Sequence, residues 1–179
     1  MTLRQLDCIA FGRGPGGFTG VRLAASVTQG LAYGADLPVI PVSDLLAVAQ
    51  QALDLAPSAA SVLVCNDARM QELYWTCATR GPAGLALAAG AEHVGPPDTV
   101  ELPLKLAGPV HAAGRGFGLW PQLQQRLGIV LTPGHAELLP RACEIARLAA
   151  PQWLAGQGVG ADQAQPVYLR NDVAKPSRK

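Results

Sequence analysis

Phe11-Gly12-Arg13-Gly14-Pro15-Gly16-Gly17-Phe18-Thr19-Gly20-Val21-Arg22 decides how this chain is organised. The residues before it, Leu6 to Phe11 (LDCIAF), form a short apolar run that reads as a buried strand. Gly12 to Gly20 is then a glycine loop, with Thr19 placed to cap a helix that runs to about Tyr33. Gly34 suits the left-handed position that ends such a helix. Leu37 to Val42 (LPVIPV) is strand-like, its two prolines pushing it toward an edge or a strand start. Ser43 follows as the cap of a helix whose Leu45, Leu46, Val48, Ala49, Ala52 and Leu53 repeat with a helical period. Strand, loop, helix, strand, helix implies an α/β fold with a parallel strand pair.

Beyond the break at Ala56-Pro57-Ser58 the pattern changes. Ser61 to Cys65 (SVLVC) is a buried strand, Asn66 to Arg69 turns the chain, and Glu72 to Thr79 (ELYWTCAT) returns as a second strand. That is a hairpin, so a second unit opens with antiparallel strands. Gly81 to Pro103 is too rich in Gly, Pro and Ala to assign. Pro109 to Ala113 reads as a strand entering the Gly114-Arg115-Gly116 turn. Pro140 to Ala155 reads as a helix with proline in its first turn and Ala142, Ile145, Ala146, Ala149 and Trp153 on one face. The expected division is 1–56 and 57–179, the latter ending in a charged tail with Lys175, Arg178 and Lys179.

Composition narrows the function. Lys plus Arg number 14 and Asp plus Glu 13 among 179 residues, giving a formal net charge of +1. A protein that grips nucleic acid through an extended basic face would carry a marked cationic excess. Charged residues are 15% of the chain, well below the roughly 25% usual for a soluble domain. So low a fraction suggests that some surface is covered by a partner. No window approaches the ~18 uninterrupted apolar residues of a membrane span. Cys8, Cys65, Cys77 and Cys143 are scattered, without a C-x-x-C pair. They are expected as free thiols in a reducing, cytoplasmic setting.

The glycine loop admits more than one chemistry. Gly12-x-Gly14-x-x-Gly17 fits the dinucleotide fingerprint, whose acidic ribose partner should follow about 20 residues on. Asp44 is the candidate, but it stands further away and in a helix first turn, and Pro15 removes a backbone donor from the cradle. A phosphate P-loop fits less well still, because Phe18 occupies the place of its lysine. A purely structural strand-to-helix turn fits equally. His93, His111 and His135 are too dispersed for a helix-borne metal site. Neither Ser26 nor Ser43 has the glycines of a nucleophile elbow, and neither Cys65 nor Cys77 has an evident activating histidine.

The same stretch closely resembles the G-P-G-S-F-T-G-[VI]-R loop and helix of the TsaB (YeaZ) family, a subunit family of tRNA threonylcarbamoyladenosine biosynthesis. Asp67-Ala68-Arg69-x-x-Glu72-x-Tyr74, the Gly114-x-Gly116 turn and Pro166-Val167-Tyr168-Leu169-Arg170 agree in order, so the resemblance spans essentially the whole chain. It implies an actin-like, two-lobed fold of the sugar-kinase and Hsp70 class. In that frame 1–56 is a partial first lobe, lacking the opening strands and helix with their D-T-[ST] phosphate motif, and 57–179 is the second lobe. Gly17 stands where the family usually has serine. The implied role is a non-catalytic subunit that binds and supports the catalytic subunit TsaD in modifying adenosine 37 of tRNA. TsaE would join the wider complex, ATP would be used by the complex rather than bound by this chain alone, and tRNA would be met only indirectly. A homodimer is compatible. A nucleotide-dependent enzyme or a glycoprotease-like hydrolase built on the loop is the alternative.

Two sets of residues are singled out beside the loop positions Gly14, Pro15, Gly16, Gly17 and Thr19. Asp67, Arg69, Glu72, Tyr74, Tyr168 and Arg170 are family-motif positions without an assigned role. The other set lies on the helix after the loop, where seven of the fifteen residues from Gly20 to Gly34 are Gly, Ala or Ser and only Arg22 is charged. Gly20, Ala24, Val27 and Leu31 are expected to pack on the sheet. Ser26, Gly30 and Gly34 form a second, small-residue line that would let a partner helix approach closely. Arg22, Ser26, Gln29, Gly30 and Tyr33 are the expected partner interface.

Overall fold

The computed structural model describes residues 2–104, 106 and 108–170; the Lys175, Arg178 and Lys179 tail lies outside them. β1 (Ile9–Gly12) pairs in parallel with β2 (Val39–Val42), from Ile9 opposite Val39 to Gly12 opposite Val42. Between them runs α1 (Phe18–Ala35), and α2 (Asp44–Leu55) follows β2 directly. β3 (Ser61–Asp67) and β4 (Leu73–Arg80) form the antiparallel hairpin. Two short strands from the stretch that the sequence leaves unassigned, β5 (Ala86–Ala88) and β6 (His93–Gly95), both pair with β4. β7 (Val110–Ala113) lies parallel to β3, and β8 (Val130–Leu131) parallel to β7. Helices α3 (Gly116–Leu119) and α4 (Gln122–Leu127) link those last two strands, and α5 (Ala142–Leu154) comes after them. β1 and β2 make one sheet and β3 to β8 another.

Helices cross between the sheets. α2 packs on β3 of the larger sheet, and α5 packs on β1 and β2. One apolar cluster therefore runs from Ile40 and Val42 through Leu45, Val48, Ala52 and Leu53 to Val62, Val64, Ile145 and Leu148. Each large aliphatic side chain withdrawn from water in this way is worth about 1.5–3 kcal/mol. β3 is buried on both faces. Val62 and Val64 point to that cluster, while Leu63 and Cys65 point to a second one with Leu73, Trp75 and Phe117. Ser43 caps α2 by accepting the Leu46 N–H at 3.1 Å. At the other end Arg80 donates to three carbonyls, Leu53 at 2.6 Å, Ala56 at 3.0 Å and Ala59 at 3.0 Å.

Several local expectations are corrected. α1 begins one residue before Thr19, because Gly17, extended at φ −61° and ψ 130°, takes the N-cap without any side-chain hydrogen bond. The helix also passes through Gly34, and Asp36 (φ 55°) takes the left-handed position after it. The stripe against the sheet is Val21, Ala25, Thr28 and Ala32, while Val27 and Leu31 are about half exposed. Small side chains let the helix axis lie close over β1, which turns the larger aliphatics outward. α5 starts at Ala142, with Arg141 as its N-cap, so Pro140 precedes the helix rather than opening it. Its buried face is Glu144, Ile145, Leu148 and Ala149, whereas Ala142 and Ala146, expected on that face, are exposed and Trp153 is half-buried. No described helix is long and apolar enough to cross a membrane.

Candidate functional site

The glycine loop is tied from three sides. Arg13 N–H donates to the Val42 carbonyl at 2.8 Å, Asp44 N–H to the Gly14 carbonyl at 2.9 Å, and Val167 N–H to the Arg13 carbonyl at 2.8 Å. Glycine is required at two positions for different reasons. A Cβ on Gly12 would lie 2.0 Å from Asp44 Oδ1, and Gly14 has φ +93°. Gly17 is not constrained in this way, since nothing stands within 4 Å of a Cβ built there, so the serine usual at this position in the family would fit.

Asp44, weighed from sequence as a ribose ligand, is packed into the loop itself. Its carboxyl is held by the Gly14 backbone, and burial raises its pKa from 3.8 to about 6. Arg13 and Glu92 lie nearby. Arg13 Nη1 meets Glu92 Oε2 at 2.9 Å, and Ser43 Oγ donates to the other Glu92 oxygen. Glu92 escaped the sequence reading because it lies in the small-residue stretch before β6, where no periodicity points to it. Among the described residues, no group of three or more His, Cys, Asp or Glu is arranged to hold a metal.

A cleft of about 830 Å³ separates the loop and α1 from the β3–β4 turn. Its walls include Gly16, Gly17, Phe18, Thr19's neighbour Gly20, Asp44, Tyr74 and Arg115. Here the family-motif positions meet. Arg69 N–H donates to Asp67 Oδ1 at 2.8 Å, and the two side chains pair at 3.2 Å. Arg170 pairs with Glu72 and donates to the Ala68 carbonyl at 3.1 Å. Tyr168 accepts from Arg22 Nε at 2.7 Å, and the Arg22 guanidinium sits 3.5 Å from the Phe18 ring centroid. Two segments about 100 residues apart in sequence thus form one structure.

The other singled-out set divides. Arg22 and Gln29 are turned to the chain's own C-terminal segment, Gln29 Nε2 donating to the Ala164 carbonyl at 3.0 Å. Ser26, Gly30 and Tyr33 are exposed, Tyr33 at 86%. Cβ atoms built on Gly20, Gly30 and Gly34 meet nothing within 4 Å, so none of these glycines makes room for another part of the described chain. Beside them Leu23, Val27 and Leu31 are 63%, 50% and 47% exposed. The outer face of α1 is therefore both apolar and smooth, the reverse of an ordinary surface helix.

Comparison with known proteins gives this geometry a family. The model of the family described as TsaD, tRNA N6-adenosine threonylcarbamoyltransferase, matches residues 1–113. The tRNA threonylcarbamoyladenosine biosynthesis protein TsaB of Escherichia coli is 41% identical over 174 residues, 97% of this chain and 74% of that one. This chain belongs to the TsaB family. The Haemophilus influenzae TsaB is 38% identical over 178 residues, with 96% of this chain and 73% of its own length covered. Among solved structures, an uncharacterized Pseudomonas aeruginosa protein with similarity to peptidase YEAZ superposes with a TM-score of 0.85 at 44% identity, covering 95% of this chain and 76% of that one. YeaZ from Pseudomonas aeruginosa does so at 0.83 and 43%, covering 94% and 77%. The fold is the actin-like α/β fold of these TsaB relatives.

Proposed function

We propose that this TsaB-family chain serves tRNA threonylcarbamoyladenosine formation as a non-catalytic subunit, binding TsaD through the outer face of α1 and thereby supporting the transfer to adenosine 37. The observation that carries this reading is the exposed strip of Leu23, Val27 and Leu31 beside Gly20, Gly30 and Gly34, where an added Cβ would meet nothing within 4 Å. A glycine inside a helix costs about 1 kcal/mol against alanine. Close approach of a second molecule gives Gly30 and Gly34 a purpose that packing within the chain does not. Ser26 and Tyr33 border the strip, and Arg22 and Gln29 fix its flank through Tyr168 and Ala164. TsaE joins through the complex, which also uses the ATP; tRNA is met through the partner, in keeping with a net charge of +1. A cytoplasmic location follows from that role.

Co-purification with tagged TsaD tests the surface. Gly30→Leu and Val27→Glu should each abolish co-elution, while the circular dichroism and tryptophan fluorescence of the isolated chain stay unchanged. Co-elution of either folded variant at wild-type affinity would place the interface elsewhere.

A further inference from the structure

The segment from Ala164 to Arg170 bridges the two sides of the cleft, and its two ends are held very differently. On the α1 side the attachment is broad. Ala164 is fully buried in the cluster with Phe11, Ala25 and Ala32, and its carbonyl takes the Gln29 amide. Val167 N–H is bonded to Arg13, and Tyr168 is bonded to Arg22 beside the Phe18 ring. On the hairpin side, among the described residues, the polar attachment comes from Arg170, which reaches Glu72, the Ala68 carbonyl and, at 3.5 Å, the Met70 sulfur.

What Arg170 grips is itself strained. Arg69, Met70 and Gln71 all have positive φ, at 62°, 53° and 62°, although none is glycine. Each such residue is disfavoured in isolation, and three in succession persist only where their surroundings hold them. The turn's own bonds are Ala68 N–H to Glu72 and Glu72 N–H to Arg69, with Asp67 receiving Arg69 N–H. Arg170 clamps the first and last residues of that arrangement together, through the Ala68 carbonyl and the Glu72 carboxylate.

We propose that Ala164–Arg170 is a strap across the cleft, with Arg170 as a releasable latch whose departure relaxes the β3–β4 turn and frees the strap from its hairpin end. The buried Ala164, with its carbonyl held by Gln29, makes that end the fixed one, and the Val167–Arg13 bond lies between it and the latch, where release is read. Arg170 and Glu72 are positioning residues in this scheme.

Residue-resolved amide exchange on the full chain tests it, using wild type, Arg170→Ala, Glu72→Gln and Arg170→Lys. Losing a charged hydrogen-bond pair should speed exchange at Ala68, Arg69, Glu72 and Val167 by roughly 10- to 100-fold in the first two variants. Amides of Val62–Val64 and Thr76–Ala78 should keep wild-type rates, and Arg170→Lys, which retains a cation opposite Glu72, should show a smaller effect. Unchanged exchange at the hairpin and at Val167 would overturn the latch. Acceleration confined to the hairpin, with Val167 protected, would overturn the coupling to the strap. Uniform acceleration across the whole chain would also overturn it, because the pair would then be an ordinary contributor to global stability.

Discussion

Replacing Asp44 by asparagine should stabilise this protein at neutral pH and lose most of that advantage in acid. The carboxyl lies under the glycine loop, and burial is the main cause of its pKa rising from 3.8 to about 6. The folded state therefore binds a proton that the unfolded state has released at any pH between those values. Stability falls as pH rises through that window, and the burden is complete above about 6. The gap between the two pKa values corresponds to roughly 3 kcal/mol at pH 7.5 and roughly 1 kcal/mol at pH 4.5. Asparagine keeps an oxygen for the Gly14 N–H and carries no charge to desolvate. Urea titrations followed by tryptophan fluorescence at the two pH values measure the difference. His135 works in the opposite direction, since burial lowers its pKa and the stability of its neutral form is lost as pH falls. Comparing variant with wild type at each pH cancels that contribution. If the two proteins keep the same stability difference from pH 7.5 to 4.5, the buried-carboxylate reasoning is wrong.

Further outcomes follow from steric and hydrogen-bonding arguments. Gly116→Ala should cost about 1–3 kcal/mol in thermal or urea unfolding, because its Cβ would sit 2.8 Å from the Cys65 carbonyl oxygen, whereas Gly118→Ala in the same short helix meets nothing and should be neutral or better. Arg80→Met removes the guanidinium donor from the Leu53, Ala56 and Ala59 carbonyls, of which Ala56 keeps the Ala59 N–H, and should lower unfolding free energy by about 2 kcal/mol, with Arg80→Lys in between. Gly17→Ser, entering open space at an N-cap that lacks a side-chain bond, should raise stability by a few tenths of a kcal/mol in the same measurement.

The strand–loop–helix–strand–helix order was legible because Ile9–Gly12 and Val39–Val42 are bounded by glycine and proline, and because Ser43 caps a strongly periodic helix. The facing of α1 was not. Hydropathy favoured Val27 and Leu31 for the interior, but a helix lying tightly on a strand selects small residues, and Ala25 and Ala32 took those places. β5 and β6 were illegible for a related reason. Three-residue strands in a stretch of Ala, Gly and Pro carry no period, and their pairing with β4 decides them. At the cleft, the motif residues could be recognised but not connected. Glu72 and Arg170 are 98 positions apart, and only the tertiary fold shows that one closes on the other. Glu92, which organises Arg13 and Ser43, gave no local signal at all.

The most direct test of the proposed role is the threonylcarbamoyladenosine content of tRNA in a reconstituted reaction. TsaD and the other components of the pathway, with ATP and unmodified tRNA, would be incubated with and without this chain, and the nucleosides quantified by mass spectrometry. Modification of adenosine 37 should depend on the chain and should fall to the level of the omission control with folded Gly30→Leu. Equal modification in the presence and absence of the chain would contradict the assignment of a supporting subunit.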